Sequence, residues 1–341
     1  MANPTQGIKI YTKLESDDFG EISSDVFEGL FTNGIGTLTT FYTSSDQTDS
    51  QKRYFLSVYN EASSSAATKV QFSLAFGNKA GSGSISNDDD TPAKSTYKKF
   101  SNLLLESTDS TFTFNSASTT VDSNNIFILS IKRSNLKDKI DPANWQVTLA
   151  SGSKKLHLVD DSSTVDVQVN SIGRKYYNIL SGSLVSGQTA PTLHSSNHYY
   201  GHVYPELGLL VFNGSALSSS LGVMTQSYNI DLATATTTNN TNTFYNTFAS
   251  ASFRSQEKLY SKYYFIRAKS KDYNFSSNPS YVTGSLGQII DNVADRGTAF
   301  SYITSVGLYN EKNELLAVAK TSQPIFKEPG TEVNFKVRLD F

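Results

Sequence analysis

A mainly β fold, with antiparallel sheets in sandwich-like or barrel-like domains and one or two short helices, is what this sequence predicts. Three observations carry that prediction. Nineteen Tyr and 21 Phe stand beside many Thr, Ser and Val, and β-branched and aromatic side chains suit a pleated, half-buried surface. Short apolar runs with a period of two recur along the chain, separated by Asn, Gly, Ser and Pro turn signals. Residues 302–341 show both features together. An alternating run ends in Gly307-Leu308-Tyr309, a polar turn spans 310–313, and a second apolar run covers 314–320, which is a hairpin signature. After a Pro-bounded loop at 324–330, Val333, Phe335, Val337, Leu339 and Phe341 alternate with Asn334, Lys336, Arg338 and Asp340. Successive side chains on a strand point to opposite faces, so this is the pattern of a half-buried strand. The chain is expected to close in a three-strand unit with its last residue tied into a sheet.

Taken in order, residues 7–13 read as a short edge strand. Strands at 26–31 and 36–42 flank an Asn33-Gly34 turn, because Asn-Gly tolerates positive φ. Strands at 53–60 and 68–76 follow across a Ser/Ala-rich connection. Residues 77–93 read as a polar loop in which Asp88, Asp89 and Asp90 form a solvated turn, since the ligand spacing of a calcium loop is missing. A helix is expected over 95–106, with Ser95 as cap and Tyr97, Phe100, Leu103 and Leu104 on one face, plugging the end of a sheet or sandwich. Strands resume at 111–115 and 125–132. A Pro142 turn then leads to the single Trp145, read as a core anchor, and 146–150 with 155–159 form a hairpin across Ser151-Gly152-Ser153. Further strands are expected at 165–169, 175–180 and 207–212. Residues 215–243 are a Ser/Thr/Asn tract with few large apolar side chains, read as an excursion or linker. Strands at 259–269 and 279–290 lead into the closing unit. The predicted organisation is thus a β-rich domain over 1–213, a linker over 214–250 and a C-terminal β unit over 251–341.

Composition narrows the functional classes. The 341 residues suffice for one large β domain or two ordinary ones. With 29 Lys and Arg against 31 Asp and Glu, net charge -2, there is no basic field to neutralise a phosphate backbone, so nucleic acid is not an expected partner. Cysteine is absent, which excludes disulfides and thiolate metal sites. No stretch approaches the roughly 18 apolar residues of a membrane span, and the N-terminus lacks a signal-peptide pattern. Asn-X-Ser/Thr matches at Asn213, Asn239 and Asn274 are read as chance in an Asn/Ser/Thr-rich chain.

Few residues point to chemistry. His194, His198 and His202, spaced four and four, would share one face of a helix and resemble a zinc arrangement there. The surrounding Ser, Asn, Gly201 and Pro205 favour a loop, in which the spacing has no such meaning. They are weak metal candidates, and no metal or cofactor is expected. Asp160, Asp161 and Glu206 are the conceivable acids of a polysaccharide hydrolase, but such a pair is recognised by its separation, which the sequence does not contain. Phosphate-cradling Gly loops, His-Glu-x-x-His and Gly-x-Ser-x-Gly are absent from the sequence. Tyr199, Tyr200 and Trp145 beside loops would be the platforms of a carbohydrate- or receptor-binding module.

Several whole strings carry a resemblance: IFILSIKRSNLKDKIDPANWQVTLASG (126–152), LHLVDDSS (156–163), VYPELGLLVFNGSAL (203–217), NPSYVTGSLGQI (278–289) and YITSVGLYNEKNELLAVAKTSQPI (302–325). Together they resemble a structural protein of contractile-tailed bacteriophages, especially myoviruses of cyanobacteria, associated with the baseplate wedge. The resemblance implies a non-enzymatic, β-rich virion protein, present in multiples of six around the tail and assembled in the host cytoplasm. Its implied partners are other tail proteins and copies of itself, without catalytic residues, nucleic acid or membrane. A neck, head-decoration or fibre-attachment protein is the alternative within that class.

Overall fold

The computed structural model describes residues 14, 18–43, 55–62, 64–81, 91–116, 119–184, 190–194, 199–221, 240–276, 281–283, 288–289 and 300–341. The strand expected at 7–13, the Asp88–Asp90 turn, Asn239 and most of 279–290 lie outside them. In chain order the strands are β1 (Phe19–Gly29), β2 (Thr37–Leu38), β3 (Tyr42–Thr43), β4 (Leu56–Tyr59), β5 (Val70–Asn78), β6 (Phe112–Ser116), β7 (Thr119–Ser123), β8 (Asn125–Ile131), β9 (Lys139–Ser151), β10 (Lys154–Asp160), β11 (Gln168–Val169), β12 (Lys175–Ser183), β13 (Thr192–Leu193), β14 (Tyr199–Tyr204), β15 (Leu209–Asn213), β16 (Phe248–Ala268), β17 (Val282–Thr283), β18 (Gln288–Ile289), β19 (Ser301–Tyr309), β20 (Leu315–Lys327) and β21 (Val333–Asp340). The α-helices among the described residues are α1 (Pro92–Leu104), α2 (Gly214–Leu221) and α3 (Asn240–Asn246). The protein is mainly β, and its resolved strand pairs are antiparallel. It divides into two compact units, Asp25–Glu257 and Met1–Ser24 with Lys258–Phe341.

The larger unit is organised around β8, NIFILSI, whose residues 126–129 form an unbroken apolar run because both faces of the strand are buried. Phe127, Leu129 and Ile131 enter one hydrophobic cluster; Ile126 and Ile128 enter the other. β15 divides in the same way, with Leu210 and Phe212 on one side and Leu209 and Val211 on the other. The strand order β16-β9-β10-β12-β14-β15-β8-β5-β4-β3 places β16 and β5 far apart along the sheet. Yet the rings of Phe72 on β5 and Phe248 on β16 lie 5.8 Å apart. The sheet therefore curls around the main cluster. The second cluster is covered by α1 and the β6–β7 hairpin, with Tyr97, Phe112 and Phe114 buried.

Local chemistry accounts for the boundaries. Asn33 and Gly34 both adopt positive φ, 64° and 71°, and close the turn between Phe31 and Ile35. Helix α1 starts three residues before the expected Ser95, because Thr91 caps Lys94 N and Pro92 occupies the first turn. Tyr97 and Leu104 are buried as expected, but Leu103 is exposed. Gly77 lets α1 lie on β5: a Cβ there would meet the Tyr97 backbone N at 2.9 Å. The Pro142 region is not a turn but part of β9, where Ala143 takes φ 61° and the pairing with β16 shifts register.

The expected linker over 214–250 is corrected at its described ends. Asn213 Oδ1 accepts from Ser215 N and Ala216 N to start α2. Leu217, Leu221 and Phe244 are buried in the main cluster, and the Phe244 ring sits 4.4 Å from Phe127 and 5.6 Å from Phe212. Three large side chains among small polar residues suffice to anchor two short helices.

Candidate functional site

Among the described residues, the expected site residues lie on separate elements with structural partners of their own. His202 lies on β14, neither a helix nor a loop, opposite Asn178 of β12 and Val211 of β15. Its half-buried ring is flanked by Tyr176 at 4.6 Å, Phe114 at 4.9 Å and Tyr204 at 6.5 Å. Burial lowers its pKa to about 4, so the imidazole is neutral at pH 7. His194 follows β13, its Nε2 lying 3.4 Å from the Ser183 hydroxyl. His198 lies outside the described residues. Among the described residues, no group of three His, Asp or Glu side chains is placed to hold a metal ion.

The acids have structural partners. Asp160, fully buried, accepts hydrogen bonds from Ala143 N at 3.0 and 3.1 Å, Trp145 Nε1 at 2.5 Å, Ser162 N at 3.2 Å and Ser162 Oγ at 2.6 Å. It thereby fastens the irregular part of β9 to the end of β10. Burial outweighs these donors and raises its pKa. Asp161 accepts from Asn178 N at 3.0 Å and Asn178 Nδ2 at 2.7 Å, and burial raises its pKa too. Glu206 pairs with Lys175 at 2.9 Å on the surface. The aromatic platforms also recede. Trp145 is 0 % exposed, its ring stacked on Phe253 at 5.6 Å. Tyr200 is buried with its hydroxyl 2.9 Å from Ser220 Oγ.

The unusual region is the smaller unit. The outer face of β16 and β21 is a ladder of aromatic rings and cations. Tyr263 stands opposite Arg338, and Phe265 opposite Lys336. Lys336 Nζ lies 4.3 Å from the Tyr263 ring centre and 5.6 Å from that of Phe265, within cation–π range. Ser261 and Arg338 both donate to Asp340 Oδ1 at 2.6 Å and hold its pKa below the usual carboxylate range. Arg267 does the same for Glu332. The last residue is tied in by Phe341 N to Tyr260 O at 2.9 Å and Tyr260 N to Phe341 O at 3.2 Å, while its ring is 72 % exposed.

The expected three-strand closing unit is corrected: β21 pairs with β16, whereas β19 and β20 form a separate two-stranded sheet. Strand β20 also runs through Pro324 to Lys327, where a loop was expected. Pro324 is tolerated because it sits in a register shift, outside the regular ladder. Asn310 builds the tip, its Oδ1 accepting from Lys312 N at 3.0 Å and Glu314 N at 2.8 Å. Lys327 fastens the base. It is 0 % exposed, and its ammonium donates to Ser270 O, Asn274 Oδ1 and Glu328 O at 3.2, 2.6 and 3.1 Å.

Between those ends, none of the side chains from Tyr302 to Phe326 is buried. Among the described residues of this unit, the buried apolar side chains are Ala268, Tyr281 and Val337. Exposed ones include Tyr302, Tyr309, Leu315, Leu316 and Val318 on the hairpin, and Phe265, Phe275 and Phe341 elsewhere. The described residues of this unit thus bury few apolar side chains, and apolar burial is what ordinarily stabilises a domain. Comparison of the chain with protein-family models, with curated proteins and with solved structures finds no match.

Proposed function

We propose that this protein is a non-enzymatic structural subunit of a contractile-tailed bacteriophage virion, built into the baseplate wedge through protein–protein interfaces. The observation that carries the assembly reading is the smaller unit, where, among the described residues, the hairpin displays exposed Tyr302, Leu315, Leu316 and Val318, the kind of apolar surface that marks a protein–protein interface. Permanent interfaces of that kind typically bury more than about 2,000 Å² and are rather apolar. The phage assignment, with its place in the tail and assembly in the host cytoplasm, rests on the resemblance of the quoted strings. Its partners in this reading are other tail proteins and further copies of itself, without nucleic acid or membrane. No helix of the described residues is long and apolar enough to cross a membrane.

Cryo-electron microscopy of intact particles carrying a tag on this chain tests the reading. Density for the tag at the baseplate, in a multiple of six copies, is the expected result. A tag found at the neck or head moves the protein to the alternative virion roles, and its absence from particles overturns the assignment.

A further inference from the structure

Elsewhere among the described residues a cation meets a single ring, as Lys99 does Phe100 and Arg254 does Phe27. On the outer face of β16 and β21 the contacts are shared. Lys336 reaches both Tyr263 and Phe265, and the Arg338 guanidinium also lies 5.8 Å from the centre of the Tyr263 ring. Along β21, Asn334, Lys336, Arg338 and Asp340 are exposed, while the residues between them are half-buried or buried. Across the ladder Phe265 is 46 % exposed, so rings and cations are both accessible. Two of the cations are already matched: Arg338 pairs with Asp340 at 2.6 Å and Arg267 with Glu332 at 3.0 Å, which holds each carboxyl below its usual range and ionised at pH 7. Lys336 has the two rings as its partners and an ion pair with no carboxylate among the described residues. A ligand laid on this face therefore meets one unmatched positive charge between aromatic rings, with Asp340 towards one end of β21 and Glu332 before the other.

That arrangement selects among anionic polymers. Single-stranded nucleic acid carries a phosphate on every nucleotide and needs a run of cations along its path, which the ionised Asp340 and Glu332 oppose. An acidic peptide satisfies Lys336 but leaves the rings uncovered. A glycan uses the whole face. The C–H face of a pyranose ring stacks on an aromatic ring, sugar hydroxyls donate to the two carboxylates and accept from the Asn334 amide and the guanidinium groups, and a carboxylate on the sugar pairs with Lys336. Tyr263 and Phe265, two residues apart on one face, stand about 7 Å from each other along the strand, a platform for a chain of linked sugar rings. We propose that the outer face of β16 and β21 binds a carboxylated polysaccharide of a cell surface, with a carboxylate on Lys336 and sugar rings on Tyr263 and Phe265. This is a binding function beside the assembly reading and does not depend on it.

Affinity electrophoresis of the full chain through gels containing hyaluronate, alginate or polygalacturonate tests it, with dextran as the uncharged control. The expected result is that at least one of the three acidic polymers retards the protein more than dextran does, and less so as salt is raised. Lys336→Gln is expected to weaken that binding by about tenfold, Phe265→Ala to weaken it as well, and Lys336→Arg to retain it. Both side chains are exposed, and unchanged melting temperatures show that the variants are folded. Lys320→Gln, which removes an equally exposed charge from β20, leaves binding as it was. Failure of all three polymers to retard the protein overturns the proposal, and so does retardation that Lys336→Gln leaves unchanged. Poly-glutamate or oligothymidylate displacing the bound polymer at equal charge makes the face a general anion surface and overturns it too. Glycan binding by a chain that is absent from phage tails would instead overturn the virion assignment and leave this site standing.

Discussion

Replacing His202 by Phe is expected to flatten the stability of the protein between pH 7 and pH 5. In the native state, burial among Phe114, Tyr176 and Tyr204 holds the imidazole neutral down to about pH 4, from an ordinary 6.5. The unfolded chain therefore binds more protons than the native one across that window, so stability is present above pH 6.5 and is lost as pH falls towards 4. Linkage with those two values gives a loss of about 2 kcal/mol from pH 7 to pH 5; partial solvent access of the ring reduces this to about 1–2 kcal/mol. For a unit of this size that corresponds to about 2–8 °C in melting temperature. Asp141, Asp160 and Asp161 work in the opposite sense, since burial raises each pKa and makes their charge costly as pH rises above the ordinary carboxylate range. They are common to both proteins and cancel in the difference. Thermal melts followed by circular dichroism at pH 7, 6 and 5 provide the measurement. Parallel pH slopes for wild type and His202→Phe would refute the argument that the neutral ring is held by its aromatic surroundings.

Asp160→Ala strands the buried donors of Ala143 and Trp145 and is expected to cost about 3–5 kcal/mol, read as a lowered urea midpoint. Asp160→Asn should recover part of this, because its amide retains one acceptor oxygen. Gly77→Ala places a methyl against the α1 backbone and is expected to lose about 1–3 kcal/mol; an unchanged melting temperature would show that α1 is free to move off β5. Deleting residues 337–341 removes the buried Val337, four paired positions against β16 and the Phe341–Tyr260 bonds. Soluble expression should fall sharply, and a truncated chain with wild-type solubility and spectrum would contradict the role given to β21.

Much of the strand content is readable locally. The hairpin across Gly152, the turn at Asn33-Gly34 and the alternation of Val333 to Asp340 are set by turn chemistry and by a period of two, both properties of neighbouring residues. Strands β7 and β14 escape that reading. The first is the polar TTVDS, and the second contains Gly201 and His202, whose strand state depends on pairing with β12 and β15. Helices α2 and α3 are missed for a related reason: Leu217 and Leu221 at i and i+4 were a usable signal, but Phe244 gains its meaning only from the rings of Phe127 and Phe212.

The same division holds for the candidate sites. Residue type alone made His202, Asp160 and Trp145 resemble ligand, acid and platform. What they became was decided by non-local neighbours: three rings around the imidazole, four donor groups around the carboxylate, and Phe253 beneath the indole. By itself the sequence determined the mainly β character and the closing hairpin, because hydrophobic period and turn chemistry act over a few residues. Only the tertiary structure decided that β21 leaves that hairpin to pair with β16 while β19 and β20 form a separate sheet, because strand partnership and burial depend on segments distant along the chain.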